Sequence, residues 1–213
     1  RVGAGQVDAL AATTTTVYPI VVGAENPWRP KADLGEGTNG WSFQVTLRNL
    51  SDTDHTYTLG GQALSEIVEG GLFTEHSKNW AGQGIDLTYS ADSVTVPAKG
   101  TTTVTVTVTP RSAFASYAAE KAPKGTFVDG AVTFTSADGQ PDLTVPYMGF
   151  YGSWGAPAVF DSKWFDGATN TVHGCASTLL NPATEVPLGS LNPLAGQEID
   201  DVRAVDPAYF IMS

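Results

Sequence analysis

The stretch Thr101-Thr-Thr-Val104-Thr105-Val106-Thr107-Val108-Thr109 decides the fold class. Valines alternate with threonines at period two, so one face of an extended strand is aliphatic and the other is hydroxylated. Burying each valine stabilises by roughly 1.5–3 kcal/mol, and a one-residue slip of register forfeits that burial. Working outward, Trp41, Phe43, Val45 and Leu47 share one face while Ser42, Gln44, Thr46 and Arg48 share the other, which predicts a second half-buried strand. Asn49-Leu-Ser-Asp-Thr-Asp54 reads as a turn, and His55-Thr-Tyr-Thr-Leu59 as its return strand in a hairpin.

Shorter extended runs follow the same rule. Thr15–Gly23 predicts a first strand that Pro19 confines to a sheet edge or a strand switch. Asn26–Gly40 is rich in Pro and Gly and reads as a loop. Gly84–Tyr89, Ser93–Pro97, Thr126–Thr135 and Leu143–Phe150 read as strands, with Ala98-Lys-Gly100 and Asp138-Gly139 as turns. Ser112–Lys121 is the one convincing helix, with Ser112 as its N-cap and Pro123 ending it. About seven short strands at regular spacing predict an all-β, immunoglobulin-like antiparallel β-sandwich with one short helix and an extended C-terminal segment. After Gly155 the pattern loosens, and apolar character resumes only at Ala208–Met212.

Composition narrows the function classes. The 213 residues carry 22 Asp+Glu against 11 Lys+Arg, a net charge of −11, so a polyphosphate partner lacks the basic face it needs. Charged residues are 15% and hydrophobic residues 41%, the balance of a globular chain. The single cysteine, Cys175, excludes an internal disulfide framework, and no run of about 18 apolar residues offers a membrane contact. The chain begins at Arg1 and stops as an apolar run forms, which reads as a piece of a longer protein.

Candidate chemistry is sparse. The three histidines, His55, His76 and His173, lie in no nucleophile-activating context, and Gly152-Ser-Trp-Gly155 is not a nucleophile elbow. His173-Gly-Cys175 is one ligand cluster where zinc wants two. No cofactor is implied; Asp52 and Asp54, with Asp161 and Asp166, leave calcium open without forming a contiguous calcium loop. The aromatic set Tyr147, Phe150, Tyr151 and Trp154 at a strand end is the candidate contact site. Packing at a domain junction is favoured there over a glycan platform.

Two segments carry a resemblance. Gly3–Ala12 resembles the closing motif of subtilisin-like protease domains. Pro146-Tyr-Met-Gly-Phe-Tyr-Gly-Ser-Trp-Gly155, preceded by Gly130-Ala-Val-Thr-Phe134, resembles the end of the fibronectin type III-like domain that follows the protease domain in lactocepin-type cell-envelope proteinases, a group that includes the streptococcal complement-cleaving peptidase. The resemblance covers residues 1–165 well and the tail more weakly, through Pro187–Gly189, Asn192-Pro193 and Ala208–Ser213. Ser153 stands where the family commonly has an acidic residue.

The resemblance implies residues 1–12 as the end of a protease domain, 13–157 as the sandwich, and 158–213 as a connector and the start of a second fibronectin-like module. It implies a non-catalytic accessory part of a secreted, wall-associated subtilisin-like serine protease, with the family's catalytic Asp, His and Ser lying upstream of Arg1. Its partners would be the neighbouring domains of the same chain and a protein substrate. The rival expectation is a stand-alone adhesion or carbohydrate-binding sandwich.

Overall fold

The computed structural model describes residues 8–156, 179–180, 187–188 and 211–212. A short helix, α1 (Ala9–Thr14), is capped by the Asp8 carboxylate, which accepts from the Ala11 N–H at 2.9 Å. The strands that follow are β1 (Val17–Val21), β2 (Ala32–Gly37), β3 (Trp41–Asn49), β4 (His55–Glu69), β5 (Leu72–Asn79), β6 (Ile85–Tyr89), β7 (Ser93–Val96) and β8 (Thr101–Pro110). Helix α2 (Ser112–Lys121) crosses to the last hairpin, β9 (Thr126–Ser136) and β10 (Leu143–Tyr151).

These strands form two sheets. The first has the order β1-β3-β8-β6; the second has the order β2-β10-β9-β4-β5, with β7 pairing the start of β4. Strand β8 sits inside the first sheet, placing Val104 opposite Val45, Val106 opposite Phe43 and Val108 opposite Trp41. All three valines are fully buried, and the core they found continues through Val128, Val132, Phe134 and Val145 of the second sheet. On the opposite face the Thr46 and Thr103 hydroxyls meet at 2.9 Å, the cross-strand pair that the alternation implies.

The expected hairpin at Asn49–Asp54 does not form. Strands β3 and β4 lie in different sheets, because the buried Asn49 side chain ties the connection elsewhere. Its Nδ2 donates to the carbonyls of Thr53 (2.7 Å), Val96 (3.2 Å) and Pro97 (3.1 Å), while its Oδ1 accepts from the Ser51 N–H at 2.8 Å. The amide thus joins the end of a first-sheet strand to the end of β7 in the second.

Other expectations are extended or corrected. The loop expected over Asn26–Gly40 contains β2, which runs parallel to β10, so the sandwich is not wholly antiparallel. Its sequence, Ala-Asp-Leu-Gly-Glu-Gly, is that of a half-exposed edge with no clean alternation. Strand β4 runs ten residues past Leu59, and β5 forms with it the hairpin that Gly60, Gly61, Gly70 and Gly71 obscured. Gly130 of β9 is required by proximity: a Cβ there would lie 1.9 Å from the Gln62 carbonyl oxygen of β4. Ser112 is the first helical residue of α2 and not its cap; Arg111 holds the cap position and offers no side-chain cap, its Nε donating instead to Asp86 at 2.7 Å. Strand β1 is an edge, as Pro19 requires.

The chain divides into two compact units, residues 1–156 and 157–213. In the second, the described residues are three two-residue strands, β11 (Leu179–Leu180), β12 (Pro187–Leu188) and β13 (Ile211–Met212), paired antiparallel with β11 central.

The valine stripe gives a direct test. Val106→Asp buries an unpaired charge and should destabilise by about 3–5 kcal/mol, whereas Thr103→Asp on the exposed face should cost within about 1 kcal/mol. Urea unfolding of the two variants checks this, and equal losses would contradict the assigned faces.

Candidate functional site

Strand alternation splits the aromatic set. Tyr147 and Tyr151 pack with the core cluster, whereas Phe150, also buried at 7% exposure, lies outside it. Tyr147 is buried against Phe43, with ring centroids 5.8 Å apart, and its hydroxyl donates to the Gln62 carbonyl at 2.9 Å. Burial, with the Tyr89 hydroxyl and Asp129 carboxylate as lesser causes, pushes its pKa well above the usual phenol range. Tyr151 packs edge-on to Phe114 of α2 at 5.1 Å.

Phe150 and Trp154 come together. Their rings stack at 4.2 Å with an interplanar angle of 11°, and Phe127 meets both edge-on at 5.4 and 5.5 Å. Phe127 was not singled out from sequence; its signal is the β9–β10 register, which sets it opposite Phe150. Gly125 leaves room for the stack, since a Cβ there would lie 2.4 Å from the Phe150 ring. Glu36 fixes the chain beyond β10: its carboxylate accepts from the Trp154 N–H and, at 3.5 Å, from the Ser153 hydroxyl. Trp154 remains 61% exposed on this support.

A second constellation was invisible in sequence. The His55 ring lies between Ser51 and Asp138, with Nε2 at 2.9 Å from Ser51 Oγ and Nδ1 at 3.1 Å from Asp138 Oδ2. This is the order of a Ser-His-Asp relay, in which a carboxylate orients the imidazole and the imidazole takes the hydroxyl proton. The Ser51 hydroxyl is committed elsewhere as well. It has the Asn49 Oδ1 at 2.8 Å and the Thr53 carbonyl at 2.9 Å as further acceptors, and it receives the Thr53 N–H at 3.3 Å. The Ser51 N–H, which could serve an oxyanion, is spent on Asn49. The Asp138 carboxylate also accepts from the Thr56 N–H at 3.1 Å and the Ser136 hydroxyl at 2.9 Å. Among the described residues the trio therefore acts as a brace between the β3–β4 crossing and the β9–β10 turn.

The acidic turn is likewise engaged within the chain. Asp52 pairs with Lys99 at 3.1 Å and Asp54 accepts from the Ala98 N–H at 2.8 Å. Asp161, Asp166, His173 and Cys175 lie outside the described residues. His76 is exposed on β5, with its N–H donating to Thr74 Oγ1.

Fold and site together define a β-sandwich module without an evident reaction centre among the described residues. The sequence matches the Fn3-like domain over residues 33–148, more than half of the chain, and the chain belongs to that family. It is 29% identical over 166 residues to the PII-type proteinase of Lactococcus lactis subsp. cremoris, and to the PII-type proteinase of Lacticaseibacillus paracasei at the same identity and length. Each alignment covers 76% of this chain and 8% of the proteinase, so the chain spans a small part of the curated relatives it matches. Among solved structures, a FixG-related protein from Vibrio parahaemolyticus aligns with a TM-score of 0.39 and 8% identity, covering 64% of this chain and 96% of that one.

The brace has a pH signature. Burial alone would raise the Asp138 pKa, but hydrogen bonds from Ser136, His55 and the Thr56 N–H outweigh it and hold the carboxyl below its usual value. A carboxyl depressed in the folded state stabilises above its unfolded pKa, and that stability is lost as pH falls through the folded value. The margin of the native chain over Asp138→Asn in thermal melts should therefore be full at neutral pH and shrink on acidification. A margin unchanged into strong acid would contradict the assignment.

Proposed function

We propose that the chain is a non-catalytic accessory module of a secreted, cell-envelope subtilisin-like serine endopeptidase. In that role it braces the protease domain, holds it off the wall and adds a substrate exosite. One observation carries the reading beyond family membership. Thr16 enters the sandwich beside Asn49 and His55, at one end of β3, whereas Tyr151 leaves it beside Gly37, at the end where Trp41 packs on Gly149. Entry at one end and exit at the other suit a spacer, and paired strands around one apolar core would make it stiff without a disulfide.

The alignment with proteinases supplies the context of that spacer. A second reading, surface adhesion or carbohydrate binding, draws on the exposed Trp154 ring backed by Phe150 and Phe127. Phe150 and Trp154 sit where the chain leaves the sandwich, the place where a following domain needs a rigid base, and this favours the junction role.

The test takes the intact open reading frame. It should encode a subtilisin-like catalytic domain directly before Arg1, and Val106→Asp in that full enzyme should lower the melting temperature of the catalytic domain by about 5 °C or more. A secretion signal in place of the catalytic domain, or a catalytic domain indifferent to unfolding of the module, would overturn the reading.

A further inference from the structure

The seven asparagines of the chain differ in what their amides, and the N–H groups that follow them, are bonded to. Asn26, Asn181 and Asn192 precede proline, which has no N–H, and Asn170 precedes the β-branched Thr171. The buried Asn49 uses both its Nδ2 and its Oδ1, and the Leu50 N–H beyond it donates to the Thr16 carbonyl at 2.8 Å. Asn79 Oδ1 accepts from the Ala63 and Ala81 N–H groups at 3.3 and 3.0 Å, and the Trp80 N–H donates to the Ala63 carbonyl at 2.7 Å. Asn39 stands apart. It lies exposed in the connection 38–40 between β2 and β3, and among the described residues neither its side-chain amide nor the Gly40 N–H has a hydrogen-bond partner.

A free amide carbon thus sits beside a free main-chain nitrogen, and glycine, with no Cβ, crowds the approach between them least. Position 40 admits no other residue at low cost: its φ is +91°, and a Cβ there would lie 2.5 Å from the Val108 carbonyl oxygen. The same close approach holds the connection on its β3 side. The β2 side is open, since a Cβ on Gly35 or Gly37 would meet nothing within 4 Å. Between those two glycines stands Glu36, whose carboxylate accepts from the Trp154 N–H, and the Gly37 carbonyl accepts from the Gly152 N–H at 3.4 Å. The connection is therefore held at β3 and can yield toward β2, where the chain leaves the sandwich.

We infer that Asn39 is a site of spontaneous modification, closing on Gly40 to a succinimide and reopening to isoaspartate, and that this change loosens the hold of β2 on the departing chain. The Gly40 nitrogen gives up its proton and bonds to Asn39 Cγ; the Cγ–Nδ2 bond breaks and ammonia leaves with that proton. Water, the one co-reactant, then opens the ring at either carbonyl. Attack at Cγ yields aspartate on an ordinary backbone. Attack at the main-chain carbonyl leaves Gly40 bonded through Cγ, so the backbone of the connection gains one atom and residue 39 a carboxylate. With Gly40 held under Val108, the added length is taken up by β2, and Glu36 and Gly37 withdraw from Trp154 and Gly152. The inference goes beyond the accessory-module reading and stands without it.

The test ages the 213-residue chain in mildly alkaline buffer and follows it by peptide mass and by methylation with an isoaspartate-specific carboxyl methyltransferase. Residue 39 should gain about 1 Da and become a methyl acceptor, at a rate within about tenfold of the blocked peptide Thr-Asn-Gly-Trp. In the methyl-accepting form the Gly152 and Trp154 amides should exchange with deuterium about tenfold faster or more, while Val104–Val108 stay protected. Freshly prepared Asn39→Asp supplies the charge without the extra atom and should leave those two amides within about twofold of the unaged chain. Asn39→Gln, which would have to close a six-membered ring, should stay unmodified. The inference is overturned by a folded chain slower than the peptide by more than about tenfold, or by a gain at residue 39 no faster than at Asn49 or Asn79. It is overturned equally by methyl acceptance that persists in Asn39→Gln, or by exchange of Gly152 and Trp154 in the isoaspartyl form no faster than in Asn39→Asp.

Discussion

The Asn49 amide is the point on which the two sheets depend. Both its donor and its acceptor are used, on the carbonyls of Thr53, Val96 and Pro97 and on the Ser51 N–H and hydroxyl. A buried amide so placed satisfies backbone groups that a sheet-to-sheet crossing would otherwise strand, each worth about 1–3 kcal/mol if left unpaired. It also dictates topology. With Asn49 holding the end of β3 against the end of β7, the chain cannot turn back on β3, and β4 is delivered to the second sheet. The His55 brace is built on the same crossing, linking it through Ser51 and Asp138 to the last hairpin.

Strand β3 organises the functional geography of the module. Its Asn49 end receives the incoming chain, and its Trp41 end faces the part of β10 from which the chain departs. Entry and exit at opposite ends suit a spacer, and the valine core between them resists bending. The stacked Phe150 and Trp154, held by Phe127 and Glu36, make the exit a fixed feature and not a loose tail.

Legibility in the sequence follows the physics of each element. The Val104–Val108 stripe was readable because one face is wholly buried and period two has no rival interpretation there. Strand β2 was not, because it is half exposed and glycine-rich, and its pairing with β10 is set by tertiary contact. The Asn49–Asp54 segment has turn chemistry that serves a hairpin and a sheet crossing equally well; only the burial of Asn49 separates them. At the site, Phe150 and Trp154 could be picked out as a local aromatic run, but Phe127 needed the register of the β9–β10 hairpin. The Ser51–His55–Asp138 brace joins residues 83 positions apart, which no local pattern signals.

The most direct measurement is the stability of Asn49→Ala together with its amide exchange. The account expects a loss of about 2–4 kcal/mol, with faster exchange around Ser51 and at the β3–β4 crossing while the β9–β10 hairpin stays protected. A loss below about 0.5 kcal/mol with unchanged exchange at the crossing would contradict the claim that this one side chain fixes the switch between sheets.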